Sequence, residues 1–193
     1  MIRRDNITGL ILAGGRGQRM NGADKGLLMF QGRPLVAQVI EALAPQVGPL
    51  LISANRHLAR YRSWGRPVVA DQRADFSGPL AGIASGFAQV KTPYLMVAPC
   101  DTPFLPPHLV ARLAAALETE QAHAAVAFGA GRLQPLCVLL SRGLESDLSA
   151  YLADSDGSAI GWLRQCRHVL VDFSDETQAF VNINTPQDLA AVG

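Results

Sequence analysis

The sequence predicts a single α/β domain built on a largely parallel sheet. Two observations carry this. Short β-branched or aliphatic runs alternate with longer helical patterns, the order in which a parallel sheet is wound. A chain of 193 residues, 49 % apolar and 17 % charged, suits one soluble globular domain with a sizeable core. The sequence contains no linker, low-complexity tract or internal repeat.

Taken in order, "ITGLILA" (7–13) reads as a strand. "PLVAQVIEALAPQ" (34–46) reads as a helix opened by Pro34, whose missing N–H is harmless in a first turn. "PLLISAN" (49–55) and "RPVVAD" (66–71) are further strands. "PLAGIASGFAQV" (79–90) is a helix of small residues, able to lie close to a sheet. "TPYLMVAPCD" (92–101) is a buried strand ending on a carboxylate, and "PPHLVARLAAALETEQ" (106–121) is an amphipathic helix. The second half is less regular. "AHAAVAF" (122–128) and "RLQPLCVLL" (132–140) could pair as a hairpin around Gly129 and Gly131. "GLESDLSAYLADS" (143–155) reads as helix, "RHVLVDF" (167–173) as a last strand and "TPQDLAAV" (185–192) as a last helix.

Composition narrows the classes. A formal net charge of +1 gives no bulk attraction to nucleic acid or membrane. Cys100, Cys137 and Cys166 are scattered, as are the four histidines, so buried reduced thiols in a cytoplasmic protein are expected rather than disulfides or a Cys/His metal site. The basic "MIRRDN" start precedes an apolar run that breaks at Gly14–Gly15, too short for a signal peptide or a membrane span.

Ligands of open parallel sheets lie beyond the C-terminal ends of the strands. Four features fall there: the Gly-rich loop after the first strand, then Asn55, Asp71 and Asp101 after the next three. Gly14, Gly15 and Gly17 let successive backbone N–H groups converge on phosphate oxygens. Arg19 and Lys25 add full charges that can flank a triphosphate. Lys25 is conspicuous because Lys91 is the only other lysine. A P-loop is excluded because Gly26 follows Lys25, and a dinucleotide fingerprint because Met20 stands where a third glycine is required. Asp71 is either a partner for a nucleoside's donor groups or a cap for the next loop. Asp101, a hard oxygen ligand at a strand end, is the candidate for Mg²⁺. The "RADFSGPLAG" stretch (73–82) is either a second phosphate-side loop or strand–helix punctuation.

"LAGGRGQRM" (12–20) followed by "DKGLLMFQGRPL" (24–35) resembles the signature of the molybdenum cofactor guanylyltransferases. The resemblance continues through "SANRH" (53–57), "VVADQRADFSGPLAGI" (68–83), "APCDTPFLPPHL" (98–109) and "AFVNINTPQDL" (179–189), nearly the whole chain. One position departs: Ser53 stands where the family commonly has Asn, which puts a nucleotide contact there in doubt while Asn55 remains. The resemblance implies a Rossmann-like three-layer nucleotidyltransferase fold. Residues of about 7–105 would bind the nucleotide and those of about 106–193 would complete the acceptor site.

The resemblance also implies roles. Leu12, Ala13, Gly14, Gly15, Gly17, Lys25, Asn55, Asp71 and Asp101 would hold GTP. Arg19, Lys25 and Asp101 would serve catalysis, with Asp101 on the metal. Asn182 and Asn184 share a face in an extended segment, and their amides would suit molybdopterin, although Asn184 could instead cap the helix after it, a role Thr185 could also fill. The reaction implied is transfer of GMP from GTP to the terminal phosphate of molybdopterin, releasing pyrophosphate. The expected partners are those two substrates, with transient contacts to a molybdopterin-supplying protein and to recipient molybdoenzymes or their chaperones, from a monomer. Two other readings stay open: a cytidylyl- or sugar-phosphate nucleotidyltransferase on the same fold, and a non-catalytic nucleotide-binding or cofactor-carrier module.

Overall fold

The computed structural model of the chain describes residues 1–13, 24–71, 78–154, 158–176 and 178–183. Its first strand, β1 (Ile7–Leu12), is buried along its whole length. The two-residue alternation sorts its side chains: Ile7 and Ile11 join one core layer, Leu10 and Leu12 the other. A small antiparallel hairpin, β2 (Met29–Phe30) and β3 (Arg33–Pro34), leads into α1 (Leu35–Leu43). Then come β4 (Leu50–Ser53), the short α2 (Leu58–Arg62), β5 (Val68–Val69), α3 (Pro79–Phe87) and β6 (Tyr94–Pro99). The second half contributes α4 (Leu109–Thr119), β7 (Ala124–Gly129), β8 (Arg132–Ser141), α5 (Glu145–Asp154), α6 (Ala159–Leu163) and β9 (His168–Asp172).

Seven strands form one sheet in the order β5–β4–β1–β6–β8–β7–β9. Only β8 runs against the rest, pairing antiparallel with both β6 and β7. Helices cover both faces. Val36, Val39 and Leu43 of α1 and Leu109, Leu113 and Leu117 of α4 pack on one side. Leu80, Ile83 and Phe87 of α3, Leu148 and Leu152 of α5 and Trp162 of α6 pack on the other. The small residues of α3 do what their size allows. A Cβ at Gly86 would stand 2.5 Å from Leu10 Cδ2, so the helix backbone lies almost on the sheet.

The elements expected between residues 7 and 173 are present within a few residues, and three further pieces appear. The β2–β3 hairpin, α2 and α6 have no counterpart in the sequence pattern: pieces of two to five residues are shorter than the window in which periodicity can be seen. The half expected to be less regular instead extends the same sheet by three strands, one of them reversed. The helix expected at 185–192 lies outside the described residues. Cys100 and Cys137 are buried as expected, whereas Cys166 is only half-buried. All three are free thiols.

The chain leaves β1 through α1 to β4 on one side, then returns through α3 to β6 on the other. The crevice of this fold therefore opens between the C-terminal ends of β1 and β6.

Candidate active site

Four strands end level at that edge. Leu12 is in register with both Ser53 and Pro99, and Ser53 with Val69. Backbone bonds continue the ladder past the strands, from Ala13 N to Ser53 O (2.8 Å), Ala54 N to Val69 O (2.9 Å) and Cys100 N to Leu12 O (3.0 Å). Three inter-strand spacings of ~4.8 Å put the ends of β5 and β6 roughly 14 Å apart. That interval is on the scale of a nucleotide laid along the edge.

At the β5 end, Asn55 Nδ2 donates to Asp71 Oδ2 (2.6 Å) and Asp71 N donates to Asn55 Oδ1 (2.8 Å). The pair leaves Asp71 Oδ1 buried and without a hydrogen-bond partner among the described residues. An orphaned carboxylate oxygen is costly and suits the donor groups of a nucleoside. Ser53 is buried, and its Oγ lies 2.8 Å from where a Cβ on Gly82 would stand. It packs under α3.

At the β6 end, Lys25 Nζ lies 3.3 Å from Asp101 Oδ2. Lys25 is held by its neighbours in sequence. Asp24 is buried and accepts a hydrogen bond from the fully buried Tyr61 of α2 (2.5 Å). Gly26 faces the same phenol, since a Cβ there would stand 2.5 Å from the Tyr61 hydroxyl oxygen and 3.4 Å from Cys100 Sγ. Burial, reinforced by the bond to Asp24, pushes the Tyr61 pKa far up, so the phenol stays a donor. Burial and then the Asp101 charge push the Cys100 thiol up as well. It is an inert core thiol beside the Asp101 carboxylate.

The final described segment reaches the same place. Ile183 N donates to Asp101 O (2.9 Å). The Asn182 amide satisfies its neighbours when its nitrogen donates to Thr102 Oγ1 (3.0 Å) and Phe180 O (3.3 Å), and its oxygen accepts from Arg132 Nη2 (3.2 Å). A small apolar cluster of Phe30, Leu35 and Ile183, flanked by Leu28 and Phe104, joins the stretch after Lys25, the loop after Asp101 and this last segment. Phe30 and Phe104 meet edge to face at 5.7 Å.

The structure thus brings Lys25 to Asp101, Asn55 to Asp71, and Asn182 to the residue beside Asp101, with Leu12 and Ala13 between the two pairs. Gly14, Gly15, Gly17, Arg19 and Asn184 lie outside the described residues, as do 72–77 of the expected second loop. Sequence reading missed Asp24, Tyr61, Thr102 and Arg132. Asp24 and Thr102 adjoin predicted residues and could have been found by proximity. Tyr61 sits in a helix too short to predict. Among the described residues no three His, Cys, Asp or Glu side chains cluster as a metal cage. A single carboxylate such as Asp101 fits a hard cation that draws its other ligands from phosphate and water.

The profile of the MobA-like NTP transferase domain matches residues 9–169. The molybdenum cofactor guanylyltransferase of Polynucleobacter asymbioticus is 46 % identical over 193 residues, covering 98 % of this chain and 96 % of that protein. That of Cupriavidus taiwanensis is 47 % identical over 196 residues, covering 99 % and 98 %. The molybdopterin-guanine dinucleotide biosynthesis protein A of Archaeoglobus fulgidus has the same fold, with a TM-score of 0.78 at 22 % identity over 95 % of each chain. A crevice at the β1–β6 switch point, a lysine–aspartate pair within it and a matching profile over most of the length agree: the chain belongs to the MobA-like NTP transferase family.

Proposed function

We propose that this enzyme transfers GMP from GTP to the terminal phosphate of molybdopterin, forming molybdopterin guanine dinucleotide. The observation that carries the reading, beside the near full-length identity to guanylyltransferases, is the Lys25–Asp101 pair in the crevice.

GTP lies along the level strand ends. Asn55 and Asp71 take the nucleoside, Leu12 and Ala13 offer backbone, and Gly14, Gly15, Gly17, Arg19 and Lys25 take the phosphates. Asp101 would hold Mg²⁺, which when bound would neutralise charge on the phosphate oxygens. An oxygen of the molybdopterin phosphate forms the new bond to the α-phosphorus of GTP. The bond from that phosphorus to the bridging oxygen breaks, and pyrophosphate leaves with the electron pair. The attacking phosphate is already an anion, so no general base is required. Asn182 and Asn184 orient it, and Lys25 and Arg19 offset the charge on the phosphates they touch. Rate enhancement comes from positioning and electrostatics. The enzyme works as a cytoplasmic monomer and hands its product on by transient contact with recipient enzymes or their chaperones. Its free cysteines suit a reducing compartment.

Pyrophosphate release from GTP, CTP and UTP, each with molybdopterin, a sugar phosphate or no acceptor, tests this. Release only from GTP with molybdopterin is expected. Turnover with a sugar phosphate, or binding of GTP with no turnover on any acceptor, overturns it.

A further inference from the structure

The β7–β8 hairpin ends beside the acceptor side of the site, yet the chemistry above makes no use of it. Its tip is built with care. Register is lost between Val126 and Ala127: Val126 faces Val138, but Ala127 faces Gln134, so residues 135–137 bulge from β8. Pro135 within the bulge has no N–H for the ladder. Bulges bend a strand and re-aim the residues next to them. The tip is then pinned by Gln134, whose buried Nε2 donates to Gly129 O (3.0 Å). Ala130 and Gly131 turn the chain with φ of 51° and 70°.

The tip and the last segment are shaped to each other. A Cβ at Gly129 would stand 2.5 Å from Phe180 Cδ2, so glycine there lets the ring seat against the hairpin. Phe180 is fully buried and held at φ 63°, a conformation that non-glycine residues rarely adopt. Strain of this kind persists only where the surroundings enforce it. Its effect is to carry the chain to Asn182, where Arg132 Nη2 meets the amide oxygen at 3.2 Å.

Arg132 is exposed and carries five donors, of which this neutral amide takes one. Arg33, Arg112 and Arg142 each face a carboxylate, from Glu41, Asp175 and Glu145. Arg132 faces none among the described residues, and unlike Arg4 and Arg167, which bond backbone oxygens, it stands against the Asn182 amide. A full cation beside Asn182, whose amide also meets Thr102 next to Asp101, has no anion among the described residues and has one brought to it in each cycle. A phosphate monoester approaching a triphosphate is repelled by it, and a guanidinium can fork onto the two non-attacking oxygens and offset that repulsion.

We propose that Arg132 binds the phosphate monoester of the acceptor and makes the enzyme selective for an anionic acceptor. This rests on the guanylyltransferase reading above, since it assigns the residue to that reaction's second substrate.

The test compares Arg132→Gln and Arg132→Lys with the wild type, measuring KM for molybdopterin at several salt concentrations and GTP affinity by calorimetry. Arg132→Gln is expected to raise the KM for molybdopterin ~10- to 100-fold. GTP affinity should stay within about twofold of the wild type, because GTP is held on the β1 side. The KM of the Gln variant should also respond less to salt, while Arg132→Lys keeps the wild-type response because it keeps the charge. An unchanged KM in the Gln variant overturns the proposal. So does a parallel loss of GTP affinity, or a raised KM with undiminished salt response, which would show Arg132 acting only through Asn182. Failure of the wild type itself to use molybdopterin overturns the functional reading and this assignment with it. Wild-type transfer with an unaltered variant overturns Arg132 alone.

Discussion

Asp101 has two neighbours that define it, the Lys25 ammonium at 3.3 Å and the Ile183 amide on its backbone oxygen. Asp101→Asn keeps size and backbone but offers a far weaker ligand to a hard cation. The variant should keep its thermal midpoint and lose pyrophosphate release, and full Mg²⁺-dependent turnover would contradict the assignment. Lys25→Ala removes a charge-assisted contact of about 1.5–3 kcal/mol. It should weaken GTP ~10- to 100-fold while free guanosine binds as before; equal losses would move Lys25 to the nucleoside. Tyr61→Phe leaves a buried Asp24 oxygen without its donor, a cost of about 1–3 kcal/mol. It should lower the thermal midpoint and weaken GTP more than guanosine, because the segment carrying Lys25 loosens. Lys25 and Asp101 could be singled out in advance, Lys25 as one of only two lysines, standing behind a Gly-rich stretch, and Asp101 as a carboxylate ending an apolar strand. Tyr61 was not: its role arises from a contact with a residue 37 positions away.

Among the elements, the β7–β8 hairpin depends on the absence of one methyl group. Gly129→Ala places a Cβ 2.5 Å from one carbon of the Phe180 ring and 2.8 Å from the next. A ring locked against Phe173 at 5.5 Å cannot swing aside as an aliphatic tip could. Overpacking of this kind costs about 1–3 kcal/mol. Transfer to molybdopterin should fall more than GTP affinity in this variant, because Phe180 leads to Asn182 and not to the strand ends proposed for the nucleotide. Equal losses would show that the hairpin supports the whole edge. The hairpin itself could be expected from Gly129 and Gly131 between two apolar runs. Its bulge could not be placed, because Pro135 marks an irregularity in the strand but only the partner strand reveals which residues slip.

The whole molecule holds several groups that ionise only at high pH. Burial raises Cys100, Cys137 and Tyr61 well above their usual values and takes Cys166 from 9.0 to about 11. A raised folded pKa for an acid means that the unfolded chain loses the proton first. Stability from these groups is therefore complete below the unfolded values and declines as the pH rises from there through the folded values. The thermal midpoint should fall between pH 9 and 11, and a flat or rising profile there would contradict the burial of these groups. At this scale the parallel half was open to inference, since each strand is an apolar run followed by a helix. The place and direction of β8 were not. Periodicity says which face of a strand is buried, never which neighbour it finds.

That placement has a consequence for the protein while it is being made. β6 lies between β1 and β8, and Leu95, Met96, Val97 and Ala98 on it are fully buried. When β6 leaves the ribosome, β1 is already there, but the partner for its other edge is still about forty residues from synthesis. At ~5–20 residues per second, that central edge stays open for roughly 2–8 s. An open apolar edge is a template for pairing with another chain. The nascent enzyme is therefore most prone to aggregate between completion of Pro99 and completion of Ser141. Ribosome-bound chains stalled between these two residues should recruit chaperones more strongly than chains stalled after Ser141 has emerged.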